Sequence, residues 1–206
     1  PNVIRTNTTV ESLAANRVTL SDGDLIRADR VVVATDAESA SRIVPGLEVD
    51  PVAWRSVTGL YYSAPRSPLK EAIIALNGEE RGLVNNVCAL SDVAPSYAPE
   101  NQALISISVL GLHQGVRFER TVLCELQQWF GEQVQSWELL HTDQIRRALP
   151  EQGPDQGSGK QDAFLRQDGI LICGDHCTSA SIEGALTSGL RTAESIIQEN
   201  SDSRRQ

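Results

Sequence analysis

The stretch 170–189 constrains what this chain can fold into more than any other part of its sequence. A short apolar run, Ile170 to Cys173, predicts a buried strand, and Gly174-Asp175 ends it. A loop follows, and after the loop a helix begins. In this order of elements, a carboxylate and a helix N-terminus meet at the carboxyl end of a strand, where open α/β sheets bind ligands. We therefore predict a ligand site there.

The first turns of that helix carry small side chains. Gly184, Ala185, Ser188 and Gly189 leave little bulk, so either a flat ligand or another backbone segment can approach closely. Unpaired amide groups and the positive end of the helix dipole favour negative charge on such a ligand. The helix itself is predicted over residues 182–198. Its apolar stripe is expected to face the core and consists of Ile182, Leu186, Leu190, Ala193 and Ile197.

The chain before residue 50 reads as consecutive strands followed by one short helix. We predict strands over 8–13 and 18–20, with a hairpin turn over 21–24. Val31 to Val33 reads as a strand buried on both faces. A helix is predicted from Ala37 to Ile43, with Asp36 as its N-cap.

In residues 51–150, Pro and Gly separate short apolar runs, a pattern that is typical of an antiparallel sheet. One amphipathic helix is predicted over 117–130. The polar, glycine-rich stretch 151–161 is the best linker candidate in the chain. The strands predicted in this region are 57–63, 73–76, 83–88, 103–110 and 134–140.

The segment from Gly174-Asp175 to Gly189 resembles the FAD-binding motif near the C-terminus of the flavin amine oxidase superfamily. That group includes monoamine oxidases, protoporphyrinogen oxidases and carotenoid (phytoene) desaturases. The resemblance implies that Asp175 binds the ribityl or pyrophosphate region of FAD. It also implies that backbone at Ile182, Glu183 and Gly184 faces the isoalloxazine ring. The other cofactor-binding residues that the resemblance implies in this segment are Gly174, Ser181 and Ala185.

Two further stretches are similar to the same family. Residues 5–35 resemble the second part of its FAD domain, which implies that backbone at Val10 contacts the adenine and that Ala34 and Thr35 lie near the cofactor. Ile145 to Pro150 resembles the segment that leads back from the substrate domain.

The fold expected from these matches is mixed α/β, with a partial Rossmann-like FAD-binding domain and an inserted antiparallel substrate domain. Residues 1–50 and 151–199 would form the discontinuous FAD-binding part, 51–150 would form the substrate domain, and 200–206 would be a disordered tail.

The expected function is FAD-dependent oxidation or desaturation, with hydride transfer from substrate to flavin N5. No G-x-G-x-x-G motif occurs in the chain, and it starts at Pro1 without any methionine. We therefore expect a C-terminal portion of such an enzyme, with unknown catalytic residues. A non-catalytic module of the same fold and a flavin-dependent mutase stay open as alternatives. Lys70 and Lys160 are the only lysines, and neither matches the lysine near the flavin of amine oxidases, which favours the desaturase-like and protoporphyrinogen oxidase-like branches.

Composition limits the partners. A net charge of −9 argues against nucleic-acid binding. The resemblance implies a small apolar or amine substrate, while peripheral membrane contact and oligomeric state are left open. The four cysteines show no disulfide framework, so we expect reduced thiols in the cytoplasm. Cys173, His176 and Cys177 lack a second pair of ligands at zinc spacing, and no metal is expected.

Overall fold

The computed structural model describes residues 4–47, 53–79, 81–151 and 165–203. They divide into two compact units, one formed by residues 1–53 with 150–206 and the other by residues 54–149. We call them the discontinuous unit and the central unit. Both contain helices and strands, so the fold is mixed α/β. Among the described residues, no helix is long and apolar enough to cross a membrane.

The discontinuous unit contains two three-stranded sheets. The elements of this unit are β1 (Val10–Ala14), β2 (Arg17–Leu20), β3 (Leu25–Arg27), β4 (Val31–Val33), α1 (Ala37–Ile43), β10 (Leu165–Gln167), β11 (Ile170–Ile172) and α4 (Ile182–Ser203). The first sheet has the order β1-β2-β3 and is antiparallel. The second has the order β10-β11-β4, in which β11 runs parallel to β4.

Helix α1 forms where the sequence predicts it, because local signals fix its start. The Asp36 carboxylate accepts hydrogen bonds from the Ser39 amide at 3.0 Å and from the Ser39 hydroxyl at 2.6 Å. Ala40 is completely buried in the core of this unit. The rest of that core consists of Leu13, Val31, Val33, Val44, Ile170 and Ile172.

Strand β4 differs from its prediction. Val31 and Val33 are buried, but Val32 is 42% exposed, so the strand is not covered on both faces by the described residues. A continuous apolar run predicts two buried faces only where both faces of the sheet are covered. In this sheet, the described core lies on the side of Val31 and Val33.

Helix α4 also differs from its prediction, in length and in the face that it buries. It continues to Ser203 instead of ending before a disordered tail; the Ser201 hydroxyl donates to the Ile197 carbonyl, and Glu199 lies 3.6 Å from Arg30. The last residues, 204–206, lie outside the described part. The predicted core stripe is exposed, since Ile182, Leu186, Leu190 and Ile197 are each more than 60% accessible. The buried positions are Gly184, Ser188 and Thr192.

The central unit is a five-stranded sheet with one long helix packed on it. Its elements are β5 (Trp54–Ala64), β6 (Ile74–Leu76), β7 (Val84–Ala89), α2 (Leu90–Val93), β8 (Ala103–Leu110), α3 (Val116–Phe130) and β9 (Glu138–Pro150). The strand order is β6-β7-β8-β5-β9. Alternation along β8 predicts that strand correctly, with Ile105 and Ile107 completely buried. Helix α3 contributes Val122 and Leu126 to the same core.

The strand predicted over 134–140 is wrong in its first half. Gly131–Ser136 forms a 3-10 helix, and β9 begins only at Glu138. Side-chain hydrogen bonds favour the helical turn: the Gln133 amide donates to the Phe130 carbonyl, and the Ser136 hydroxyl donates to the Gln133 carbonyl.

Candidate functional site

Two parallel strands of the discontinuous unit end at the same edge of their sheet. β11 pairs with β4 from Ile170 opposite Val31 onward, and the Cys173 amide extends the ladder by donating to the Val33 carbonyl at 2.9 Å. The next residues therefore lie side by side, with Ala34 and Thr35 following β4 and Gly174 and Asp175 following β11. A Cβ atom added at Gly174 would lie 3.5 Å from the Thr35 carbonyl oxygen. These four predicted site residues are brought together.

Gly174 turns the chain out of the sheet and is fixed on both sides. Its amide donates to the Ser188 hydroxyl at 3.0 Å, and its carbonyl accepts from the Cys177 amide at 3.1 Å. Its φ is 157°, and an added Cβ would lie 2.6 Å from the buried His176 ring. The position therefore requires glycine, and His176 has a packing role beneath it.

The carboxylate of Asp175 is available to a ligand. Its side chain is 30% exposed and accepts no hydrogen bond from any residue that the structure describes. The nearest cationic candidate is Nδ1 of His176, at 3.9 Å from Oδ1. A carboxylate in this state can accept hydrogen bonds from ligand hydroxyl groups.

The N-terminus of α4 carries free amide donors. Ser181 caps the helix, since its hydroxyl accepts from the Gly184 amide at 2.9 Å and its carbonyl accepts from the Ala185 amide at 3.0 Å. The amides of Ile182 and Glu183 precede the first intrahelical donors, and within the described part of the chain neither has an acceptor. Ile182 is 83% exposed, so the helix begins at the surface of the described residues. Together with the helix dipole, they can stabilise negative charge on a ligand.

The absence of a side chain at Gly184 serves the packing of the chain on itself. An added Cβ would lie 1.9 Å from the Ser179 carbonyl oxygen and 2.8 Å from the Thr178 hydroxyl. Of the two sequence-based alternatives, a flat ligand or a backbone segment, the backbone is therefore the one that approaches Gly184. Gly189 has nothing within 4 Å of an added Cβ.

Val10 is not among the residues gathered at this edge. It lies at the start of β1, and its side chain packs against the core of the discontinuous unit. Its predicted adenine contact stays a prediction.

The other candidates lie in the central unit. Tyr61 stacks on His141 with ring centroids 6.4 Å apart, and Tyr62 is buried in the core. His113 stacks on Phe118 at 5.0 Å. Burial, with a smaller contribution from the Glu119 charge, raises the pKa of Tyr62 to about 12.

Sequence reasoning missed the role of Ser188, which it counted only among the small side chains in the first turns of the helix. Its side chain is completely buried and accepts the Gly174 amide. The available signal was its position one turn after Gly184 on the same helix face. Within the described ranges, no three His, Cys, Asp or Glu side chains gather in a way that could hold a metal.

The hydrogen-bonding groups of these residues complement those of a flavin nucleotide. Such a cofactor offers hydroxyl donors, which suit the part-exposed carboxylate of Asp175. It also offers a negatively polarised ring edge when reduced, which suits the free amides of Ile182 and Glu183.

The family model of flavin containing amine oxidoreductases matches residues 1–197 of this chain. No curated protein matches its sequence. Among solved structures, an oxidoreductase from Methanosarcina mazei is similar with a TM-score of 0.66 and 14% identity, over 90% of this chain and 48% of that one.

Two further solved structures share the fold. A CLA-producing fatty acid isomerase from P. acnes is similar with a TM-score of 0.56 and 11% identity, over 91% of this chain and 47% of that one. Reduced UDP-galactopyranose mutase is similar with a TM-score of 0.52 and 13% identity, over 70% and 35%. The chain thus spans about half the length, or less, of the structures that it resembles.

Proposed function

Because this chain belongs to the family of flavin containing amine oxidoreductases, we propose that it contributes an FAD-binding surface to an FAD-dependent oxidoreductase. One observation carries the proposal. The end of β11, beside the end of β4, presents the part-exposed Asp175 carboxylate, and α4 presents two amides that have no acceptor among the described residues, all in the same strand–loop–helix segment.

The residues of this surface have separate roles in the proposal. Asp175 accepts hydrogen bonds from the ribityl part of the cofactor. The amides of Ile182 and Glu183 face the pyrimidine edge of the isoalloxazine ring and stabilise negative charge there. Ala34 and Thr35 border the cofactor through backbone atoms. The chemistry that a bound flavin supplies is acceptance of a hydride at N5 from a C–N or C–C bond of the substrate.

The central unit is proposed to bind the substrate, a small apolar or amine-containing molecule. Helix α3 packs on the face of its sheet that carries Ile105 and Ile107. The alternate residues of β8 include Ser106 and Ser108, which pair with Tyr61 and Gly59 of β5. The Tyr61 ring lies 3.7 Å from the position of a Cβ at Gly59. Small side chains beside an aromatic ring offer a surface for a compact apolar substrate.

Two aspects of the proposal rest on composition. The four cysteines are present as thiols, which supports a cytoplasmic location. Lys70 is exposed, and its sequence context does not match that of the flavin-proximal lysine of amine oxidases, which supports a desaturase-like or protoporphyrinogen oxidase-like reaction. Fold similarity to UDP-galactopyranose mutase makes a flavin-dependent mutase the second candidate.

The test is an NMR titration of the whole chain with FAD, in parallel with riboflavin and ADP. We expect FAD and riboflavin to shift the amide signals of Ile182 and Glu183 in a saturable way. We expect ADP to shift the signal of Val10. Signals of the central unit, such as that of Asp143, serve as an internal reference for nonspecific effects.

A matched pair of substitutions assigns the role of the carboxylate. Asp175→Asn removes the charge and retains the shape, and we expect FAD affinity to fall by about 10- to 100-fold, as for loss of a charge-assisted hydrogen bond of about 1.5–3 kcal/mol. Asp143→Asn makes the same change in the central unit, where the side chain is 52% exposed, and should leave the affinity unchanged. Absence of any saturable shift at 182–183 at millimolar FAD would refute the proposal.

A further inference from the structure

The buried face of α4 carries hydroxyl groups where its sequence predicted an apolar stripe. Ser188 is completely buried and Thr192 is 2% exposed. A buried hydroxyl costs free energy unless it is hydrogen-bonded, so each needs a partner. The two hydroxyls use different ones. Thr192 donates to the Ser188 carbonyl within the helix, at 2.8 Å, whereas Ser188 accepts the amide of Gly174 outside it, at 3.0 Å.

The bond from Gly174 comes at the point where the chain leaves the sheet. The Cys173 amide is still bonded to β4, through the Val33 carbonyl. The Gly174 amide lies one residue beyond this last bond to β4, and the Ser188 hydroxyl accepts it. The Gly174 carbonyl is held by the Cys177 amide, and the Asp175 carbonyl by the Thr178 amide, both at 3.1 Å.

We infer that Ser188 is a positioning residue for ligand binding: its hydroxyl fixes the Gly174 amide and thereby sets the direction in which the Asp175 carboxylate is presented. The inference rests on the proposed function, because Asp175 is the proposed ligand contact. Ser188 itself touches no ligand in this arrangement. Its hydroxyl links the end of β11 to α4. This bond therefore fixes the position of the Asp175 carboxylate relative to the first amides of the helix.

The experiment compares Ser188→Ala with Thr192→Ala in the whole chain. Both remove one buried hydroxyl from the same face of α4, one turn apart, so they control for each other in stability. The first measurement is hydrogen exchange of the Gly174 amide without ligand, followed by NMR. We expect Ser188→Ala to speed this exchange at least about 10-fold relative to Thr192→Ala, because only the first removes its acceptor.

The second measurement is FAD affinity, compared at temperatures where the two variants are equally far below their melting temperatures. We expect an affinity loss of about 10-fold for Ser188→Ala and none for Thr192→Ala. Equal losses would overturn the positioning role, since they would report a general loosening of α4. Unchanged Gly174 exchange in Ser188→Ala would overturn it as well.

The two measurements also distinguish this inference from the proposed function. If the unaltered chain bound no FAD at all, the proposed function would fail and the positioning role with it, whatever the exchange result. If it bound FAD with equal affinity in Ser188→Ala, only the positioning role would fail.

Discussion

The substitution Gly184→Ala tests the packing on which the candidate site depends. The added Cβ would lie 1.9 Å from the Ser179 carbonyl oxygen, against 3.4 Å for ordinary contact, so α4 or the loop must move by about 3.4 − 1.9 = 1.5 Å. The bond between Ser188 and Gly174 opposes such a movement. Overpacking costs about 1–3 kcal/mol, while replacing glycine by alanine within a helix returns about 1 kcal/mol.

The contact is close, so we take the upper end of the overpacking cost and subtract the gain from alanine. Gly184→Ala should then lower the free energy of unfolding by about 2 kcal/mol and the melting temperature by about 5 °C. Gly189→Ala is the matched control, because it lies in the same helix and nothing is within 4 Å of its added Cβ. It should gain about 0.5–1 kcal/mol.

The assay is urea unfolding followed by two signals. Far-UV circular dichroism reports on both units. All three tryptophans, Trp54, Trp129 and Trp137, belong to the central unit, so their fluorescence reports on that unit. The effects of both glycine substitutions should appear in the dichroism transition of the discontinuous unit. If Gly184→Ala stabilised the chain as Gly189→Ala does, the reasoning from close approach would be refuted.

Two further predictions concern the central unit. Tyr62→Phe should raise stability at pH 7 by about 1 kcal/mol, because the buried hydroxyl has no hydrogen-bond partner among the described residues. The pKa of Tyr62 in the folded state, about 12, lies above the ordinary value of 10.0, so the wild-type protein loses stability as pH rises from 10 to 12. Tyr62→Phe should not show this loss of stability. Equal slopes for both proteins in urea unfolding across that range would contradict this. Glu125→Ala should lower the free energy of unfolding by about 2 kcal/mol, because the Glu125 carboxylate accepts hydrogen bonds from the amides of Leu83 at 2.7 Å and Val84 at 3.2 Å. Urea unfolding followed by tryptophan fluorescence measures this loss, and Glu132→Ala, on an exposed side chain, is the control. Equal losses in the two variants would show that the bonds to Leu83 and Val84 contribute nothing.

The sequence predicted an element well where one capping residue or a regular alternation determines it. Asp36 fixes the start of α1, and alternation fixes Ala103–Leu110. Periodicity also predicted α4, but it could not determine which face is buried. That choice follows from the close approach of Ser179 to Gly184, and no rule about apolar spacing contains this contact.

The candidate site was predictable to a similar extent. Gly174-Asp175 marked the edge, and the family resemblance joined it to Ala34-Thr35, although nearly 140 positions separate the two pairs in sequence. The bond between Ser188 and Gly174 was not predictable, since a buried serine in a helix usually bonds within the helix. Its partner depends on where the preceding strand ends.

The inverted burial of α4 changes how sequence variants in this helix should be ranked. Scales based on hydrophobicity would score Leu186→Gln as damaging and Ser188→Leu as benign. Within this chain the ranking is the opposite, since Leu186 is 70% exposed while Ser188 is completely enclosed. A polar substitution at Leu186 costs the fold of this chain little, whereas a larger apolar side chain at Ser188 removes the acceptor of a buried amide and has no room. On the face of α4 that carries Ser188, the tolerance of a substitution thus depends on side-chain volume. On the face that carries Leu186, it depends little on polarity.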